Sequence, residues 1–131
     1  MLRTKSILSP REELDGLRVS VMSRHTLNDG VTLHPEIDSS SYDEWVSSLS
    51  PPLKLLGDYY KRGLSWDEFE LKYLGYLRQA GVQGEVKSLA QKSTNSTITL
   101  LCIEESPERC HRRVLAEECK RYEPSLEVNI G

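Results

Sequence analysis

No stretch of this chain stays apolar for the roughly 20 residues that a membrane-spanning helix needs, so no membrane partner is expected. The opening residues, Met1-Leu2-Arg3-Thr4-Lys5-Ser6, lack the apolar segment of a secretion signal. Cysteine is scarce and odd in number, three in all, with no C-x-x-C pair. The thiols therefore read as free groups in a reducing compartment, and a cytoplasmic location is expected. A basic excess is missing too. The 17 Lys and Arg stand against 20 Asp and Glu, and a net charge of −3 disfavours nucleic acid as the main partner. There is no Walker loop, no dinucleotide fingerprint and no G-x-S-x-G elbow. No motif names a cofactor.

What remains is a chain of 131 residues, 37% hydrophobic and 28% charged, which suits one core. The expectation is a single α/β domain over residues 1–131; a homo-oligomer is compatible with these numbers. Residues 2–8 alternate weakly as a strand does, and Leu17 to Met22 alternate clearly after the Asp15-Gly16 turn signal. Residues 25–41 are polar and aperiodic, and a loop of that length is more often functional than not.

Helical signals fill the middle. Ser41 and Glu44 have capping-box spacing ahead of Trp45, Val46 and Leu49, predicting a helix there. Ser50 and Pro51 open a second, through Leu53, Leu56 and Tyr60 to Gly63. Ser65 and Glu68 open a third, with Trp66, Phe69, Tyr73, Tyr76, Leu77 and Ala80 at helical spacing and Gly81 as its end. A short helix at 85–92 and a turn at 93–96 lead into a nearly continuous apolar strand at 97–103. Ser106 and Pro107 then start a last helix, Pro124 stops it, and residues 126–130 alternate as a closing strand. Long helical crossovers imply parallel pairing. The predicted fold is α/β: a small, mostly parallel sheet with helices on both faces, and a helix-rich insertion between the first long strand and the Cys-x-Glu strand.

Chemistry concentrates between Leu100 and Arg113. Cys102, Glu104, Cys110, His111 and Arg112 crowd a strand-to-helix junction, where a helix start offers unpaired N–H groups and a positive dipole end. If Cys110 lies in the first helical turn, the dipole and nearby arginines favour its thiolate. The candidate catalytic residues are Cys110 as nucleophile and His111 or Glu104 as proton carriers. Arg24, Arg112 and Cys102 are candidates for ligand binding. Arginine's planar fork suits carboxylates and phosphates, so the implied ligand is an anionic small molecule. The alternative is a nucleic-acid or protein-binding module in which the Cys-His-Arg cluster is structural, with Arg112 paired internally to Glu104 or Asp15. Arg113 and Glu117 have the spacing of a solvated helix pair.

Several chemistries fail on spacing. The cysteines and His25 match no common zinc pattern, so no metal is expected. A phosphatase loop needs a cysteine, five residues and an arginine; that position is Glu108, and Arg109 comes one too late. A lone Glu104 gives no carboxylate pair for glycoside hydrolysis.

Three blocks resemble the domain-of-unknown-function 488 family, the YeaO-like proteins. They are Asp15-Gly16-Leu17-Arg18-Val19 leading to Arg24; Trp45 through Leu49-Ser50-Pro51 to Trp66, Phe69, Tyr73 and Leu77; and Cys102-Ile103-Glu104 followed by Cys110-His111-Arg112. The chain departs from the family pattern at Ser23, where an Asp is usual, in the absence of Trp-Pro-Arg from residues 25–30, and at Tyr76, where a Glu is usual. The resemblance implies a compact α/β fold and no particular reaction.

Overall fold

The structure is a computed structural model describing residues 1–131. Five strands form one parallel sheet: β1 (Leu2–Ser6), β2 (Leu17–Ser20), β3 (Glu44–Trp45), β4 (Ile98–Cys102) and β5 (Val128–Asn129), in the spatial order β3-β2-β4-β1-β5. Four helices join them: α1 (Leu53–Arg62), α2 (Trp66–Leu77), α3 (Ala80–Asn95) and α4 (His111–Tyr122). The α/β fold of the sequence reading holds, as does the helical insertion, which is α1–α3 between β2 and β4. No helix is long and apolar enough to cross a membrane.

Strand order dictates the two faces. β3→β4 and β4→β5 step one way along the sheet, whereas β1→β2 and β2→β3 step the other way. Right-handed crossovers put the first pair on one face and the second pair on the opposite face. The first pair carries all four helices. Their apolar side chains meet Leu2, Val19, Val21, Ile98 and Leu100 in the main core, with Phe69, Tyr73, Leu77, Val86, Val114 and Leu115. The other face is covered by loops, and the helical cover expected there shrinks to one 3-10 turn, Glu13–Asp15. A smaller core of Ile7, Met22, Ile37, Leu101, Cys102 and Cys110 lies on that side.

An ion cluster fills the rest of the loop-covered face. Asp15 is wholly buried and meets Arg18 at 2.8 Å, Lys5 at 3.0 Å and Arg3 at 3.1 Å. Arg18, also buried, spends its remaining N–H groups on the carbonyls of Ser41 and Ser9. Asp15 is thus claimed by Arg18, Lys5 and Arg3. Gly16 holds φ +61, and a Cβ there would overlap the Thr97 carbonyl. The Asp-Gly-Leu-Arg block is explained by one turn that must pass close to β4 and one ion pair beneath it.

Four local expectations change. The helix predicted from Ser41 and Glu44 shrinks to one 3-10 turn, Ser47–Leu49. Asp43 and Val46 instead pair with the open edge of β2, through Asp43 N–H to Arg18 O at 2.8 Å and Val46 N–H to Ser20 O at 2.9 Å. Tertiary strand pairing overrides the local helix signal. Ser41 takes a local turn, accepting the Asp38 N–H at 3.1 Å. Secondly, α2 ends at Leu77, not Gly81, because Gln79 is extended and starts α3. Thirdly, the turn expected at 93–96 is mostly helix, since Ser93 and Thr94 turn their hydroxyls back onto the carbonyls of Leu89 and Gln91. Finally, α4 starts at His111 and not near Pro107, with Cys110 as an extended N-cap. Arg113 takes the one carbonyl in this stretch that it reaches, Glu108 O, while Arg112 holds Glu104 O and Glu105 O in the loop before it. The predicted start of α2 stands, with the Ser65 hydroxyl accepting the Glu68 N–H, and Gly63 closes α1 at φ 78.

Candidate functional site

β4 is central and apolar, and it delivers Cys102 to its carboxyl end, where open parallel sheets build sites. The chain leaves the sheet there, loops through residues 103–109 and returns at Cys110 to start α4. Cys102, Cys110, His111 and Arg112 meet at this junction, and all four are buried. The cluster sits where the two layers join. The sulfurs pack with the loop-side core, while the His111 ring meets Tyr73 of α2 edge-on at 5.7 Å.

Each polar group has a defined partner. His111 Nε2–H donates to the Val21 carbonyl at 2.7 Å, because a carbonyl can only accept. In the neutral ring the other nitrogen, Nδ1, is then an acceptor, and it faces Cys102 Sγ at 3.5 Å. Arg112 has no carboxylate partner. Its guanidinium donates to the carbonyls of Glu104 at 2.6 Å, Gly131 at 3.2 Å and Glu105 at 3.3 Å, and to Cys110 Sγ at 3.2 Å. Neither the Glu104 nor the Asp15 carboxylate meets it, so its charge is left uncompensated within the cluster.

The two thiols are driven apart. Burial works against ionising Cys102, but the Cys110 thiol, the Glu104 N–H, the charge of Arg112 and the Ile103 N–H outweigh it and hold the thiol below its ordinary value. Burial pushes Cys110 well up, and Cys102 beside it adds to the effect against the opposing pull of His111 and Arg112. Of the two thiols, Cys102 is thus the one whose ionisation its surroundings favour. Cys110 precedes the helix instead of sitting in its first turn, so the dipole argument made for it does not apply. Cys119, buried in the main core, is pushed up to about 12, mainly by burial.

Glu104 and Arg24 stand apart from the sulfurs. The Glu104 carboxylate accepts the Tyr60 hydroxyl at 2.7 Å. Arg24 is exposed and donates to Gly30 O at 3.1 Å. It lines a cleft of about 360 Å³ together with Leu53, Leu56, Tyr60 and Lys61, beyond the end of β2. Glu104 and Arg24 are linked only through Tyr60, which walls the cleft and binds the carboxylate. Lys61 and Tyr60 were not singled out by the sequence reading. Their signal is the helical face 53, 56, 57, 60 and 61, which meets the cleft whole. His25 belongs to a stack, 3.9 Å from the Trp45 ring and hydrogen-bonded to Ser20 at 2.7 Å. The Arg113–Glu117 pair forms at 2.7 Å, with Glu70 as a second partner at 2.6 Å.

Cys102, Cys110 and His111 offer three metal-donor atoms within 4.8 Å of one another. The Arg112 guanidinium beside Cys110 sets a fixed positive charge that opposes a cation there.

No curated protein and no solved structure matches the chain. A family model does match, over residues 2–123: DUF488-N3a, described as the active DUF488-N3 subclade. That span holds β1 to β4, all four helices and the Cys102–Arg112 cluster, and the chain belongs to the DUF488 family.

Proposed function

We propose that the protein is a thiol enzyme acting on an anionic small molecule, with Cys102 as the nucleophile. The observation that carries this reading is the Cys102 sulfur at the carboxyl end of the central strand, facing a lone-pair nitrogen of His111 and an Arg112 with no carboxylate. His111 Nδ1 accepts the thiol proton, and Val21 keeps the ring turned for that task. Arg112 and the N–H groups of Ile103 and Glu104 stabilise negative charge at the sulfur.

The cleft beside Tyr60 is the substrate entry. Its charged lining residues are Arg24 and Lys61, both cationic, and its floor carries Leu53 and Leu56. This suits a carboxylate or phosphate ester with an apolar body. Parting of the Tyr60–Glu104 hydrogen bond opens the way to Cys102 and frees Glu104 as a second proton carrier. Cytoplasmic residence agrees with three unpaired thiols.

A second reading, in which the cluster is structural, draws on its burial, since Arg112 is 0% and Cys102 2% exposed. The nucleic-acid reading has less to rest on, since of the arginines at the helix start Arg112 is buried and Arg113 is paired to acids, which leaves Arg109 exposed. Residue-resolved alkylation of the native protein by iodoacetamide separates the readings. The enzyme reading predicts that Cys102 is modified first and that phenyl phosphate protects it. Arg24→Ala combined with Lys61→Ala removes the protection. A Cys102 that stays inert until the protein unfolds leaves the structural reading.

A further inference from the structure

We infer that Cys102 and Cys110 form a peroxide-oxidisable pair that closes a reversible disulfide across the strand-to-helix junction. The inference rests on the proposed function only for the ionised sulfur at Cys102; it assigns Cys110 a task that reading leaves idle.

Three features point to it. The two sulfurs lie within 4.8 Å of each other and of a ring nitrogen of His111, at the two ends of a loop with no regular structure. Cys110 is an extended N-cap outside the helix, so its sulfur can approach Cys102 without unwinding α4. The pair is also unequal: Cys102 is favoured as the anion and Cys110 keeps its proton, which matches an attacking sulfur and a resolving one. Arg112, at 3.2 Å from Cys110 Sγ, holds the second sulfur in place beside the first. Cys119 is an internal control. Its thiol points at Val86 O at 3.8 Å in the main core, away from the pair.

The chemistry balances with hydrogen peroxide as oxidant. The Cys102 thiol proton passes to His111 Nδ1. The thiolate attacks one peroxide oxygen, the O–O bond breaks, and a sulfenic acid forms. The departing hydroxide takes up a proton and leaves as water. Cys110 sulfur then attacks Cys102 sulfur, the S–O bond breaks, and the hydroxyl leaves as water with the Cys110 proton. The two sulfurs have lost two electrons in all, and peroxide has become two waters. A dithiol reductant reverses the bond by becoming a disulfide itself. Because each of the two cysteines is only 2% exposed, a small neutral oxidant is the class that fits.

The test treats the full-length reduced protein with hydrogen peroxide, removes the peroxide, unfolds the chain in guanidinium with N-ethylmaleimide to block free thiols, and maps peptides without reduction. The expected result is loss of two of the three free thiols, a Cys102–Cys110 link within one chain, an alkylated Cys119, and full recovery with dithiothreitol. Cys110→Ser is expected to stop at a Cys102 sulfenic acid that dimedone traps, and Cys102→Ser to leave Cys110 free. Three free thiols after peroxide, a link between chains, or Cys102 driven to sulfinic acid beside a free Cys110 would overturn the inference. The wild-type map alone decides it if a variant does not fold. A Cys102 that is alkylated by iodoacetamide yet never links to Cys110 removes this inference and leaves the proposed nucleophile standing.

Discussion

The His111 imidazole is fixed from behind by a backbone carbonyl 90 residues away, Val21 O at 2.7 Å, and faces Cys102 Sγ from the front at 3.5 Å. A ring tied in this way has one defined tautomer when neutral, with the proton on Nε2 and the lone pair on Nδ1. Nitrogen chemical shifts of the imidazole check this directly. A neutral His111 is expected to show a protonated Nε2 and an unprotonated Nδ1; the reverse pattern contradicts the proposed proton path.

Arg112 is the largest uncompensated charge in the cluster, and its worth is divided between carbonyls and sulfur. Arg112→Lys keeps the charge but loses the planar fork that serves three carbonyls and Cys110 at once. Leaving buried acceptors unpaired is expected to cost about 2–4 kcal/mol, read as a lower urea midpoint. The Cys102 ionisation is expected to move upward in the same variant, because a single ammonium cannot hold the loop carbonyls and the cluster geometry together. A variant with unchanged stability and unchanged Cys102 titration contradicts this account.

Asp15 anchors the loop-covered face. Burial alone would raise its pKa, but the Glu12 N–H, Arg18 and Lys5 together hold the carboxyl below its ordinary value. A depressed carboxylate contributes stability that is present above the unfolded-state value, about 3.9, and lost as pH falls through the folded one. Glu118, held at about 2 by Arg78 and Arg121 against its own burial, acts in the same acid window. Asp15→Asn is expected to cost about 3–5 kcal/mol at neutral pH, as breaking a buried pair does, and to flatten the stability curve below pH 4 or so. Denaturant melts across that range measure both effects.

Gly16 is the position where backbone, not side chain, sets the requirement. Its φ of +61 and the closeness of the Thr97 carbonyl exclude a Cβ without moving β4. Gly16→Ala is expected to lose at least about 2 kcal/mol, seen as a lowered melting temperature. Because β4 delivers Cys102, the same variant is expected to blunt the Cys102 titration.

The parts of this molecule that were legible in the sequence are those written in local pattern. The α1–α3 insertion, the apolar β4 and the Ser65 cap follow from periodicity and spacing, and each forms close to where it was expected. What failed did so where distant groups intervene. The Ser41–Leu49 segment carries a helix signal, yet β2 needs an edge partner and takes residues 43–46. Residues 106–110 carry a helix start, yet Arg113 takes the Glu108 carbonyl and Arg112 holds Glu104 O in the loop before it. The cluster of Cys102, Cys110, His111 and Arg112 was visible as a sequence motif. Which sulfur ionises was not, because that depends on which of the two receives the N–H groups of Ile103 and Glu104, and spacing does not reveal those contacts. Tyr60 and Lys61 were hidden for a similar reason: the loop that turns their helical face into a cleft has no periodicity of its own.

Of the three thiols, Cys102 is the one expected to ionise early, inside its buried cluster. Ultraviolet thiolate absorbance, followed against pH in the native protein and in Cys102→Ser, tests it without requiring any reagent to reach the sulfur. The account predicts one ionisation below the ordinary thiol value of about 8.5 in the native protein and its loss in Cys102→Ser. A native protein with no thiolate below that pH, or an early ionisation that survives the substitution, contradicts it.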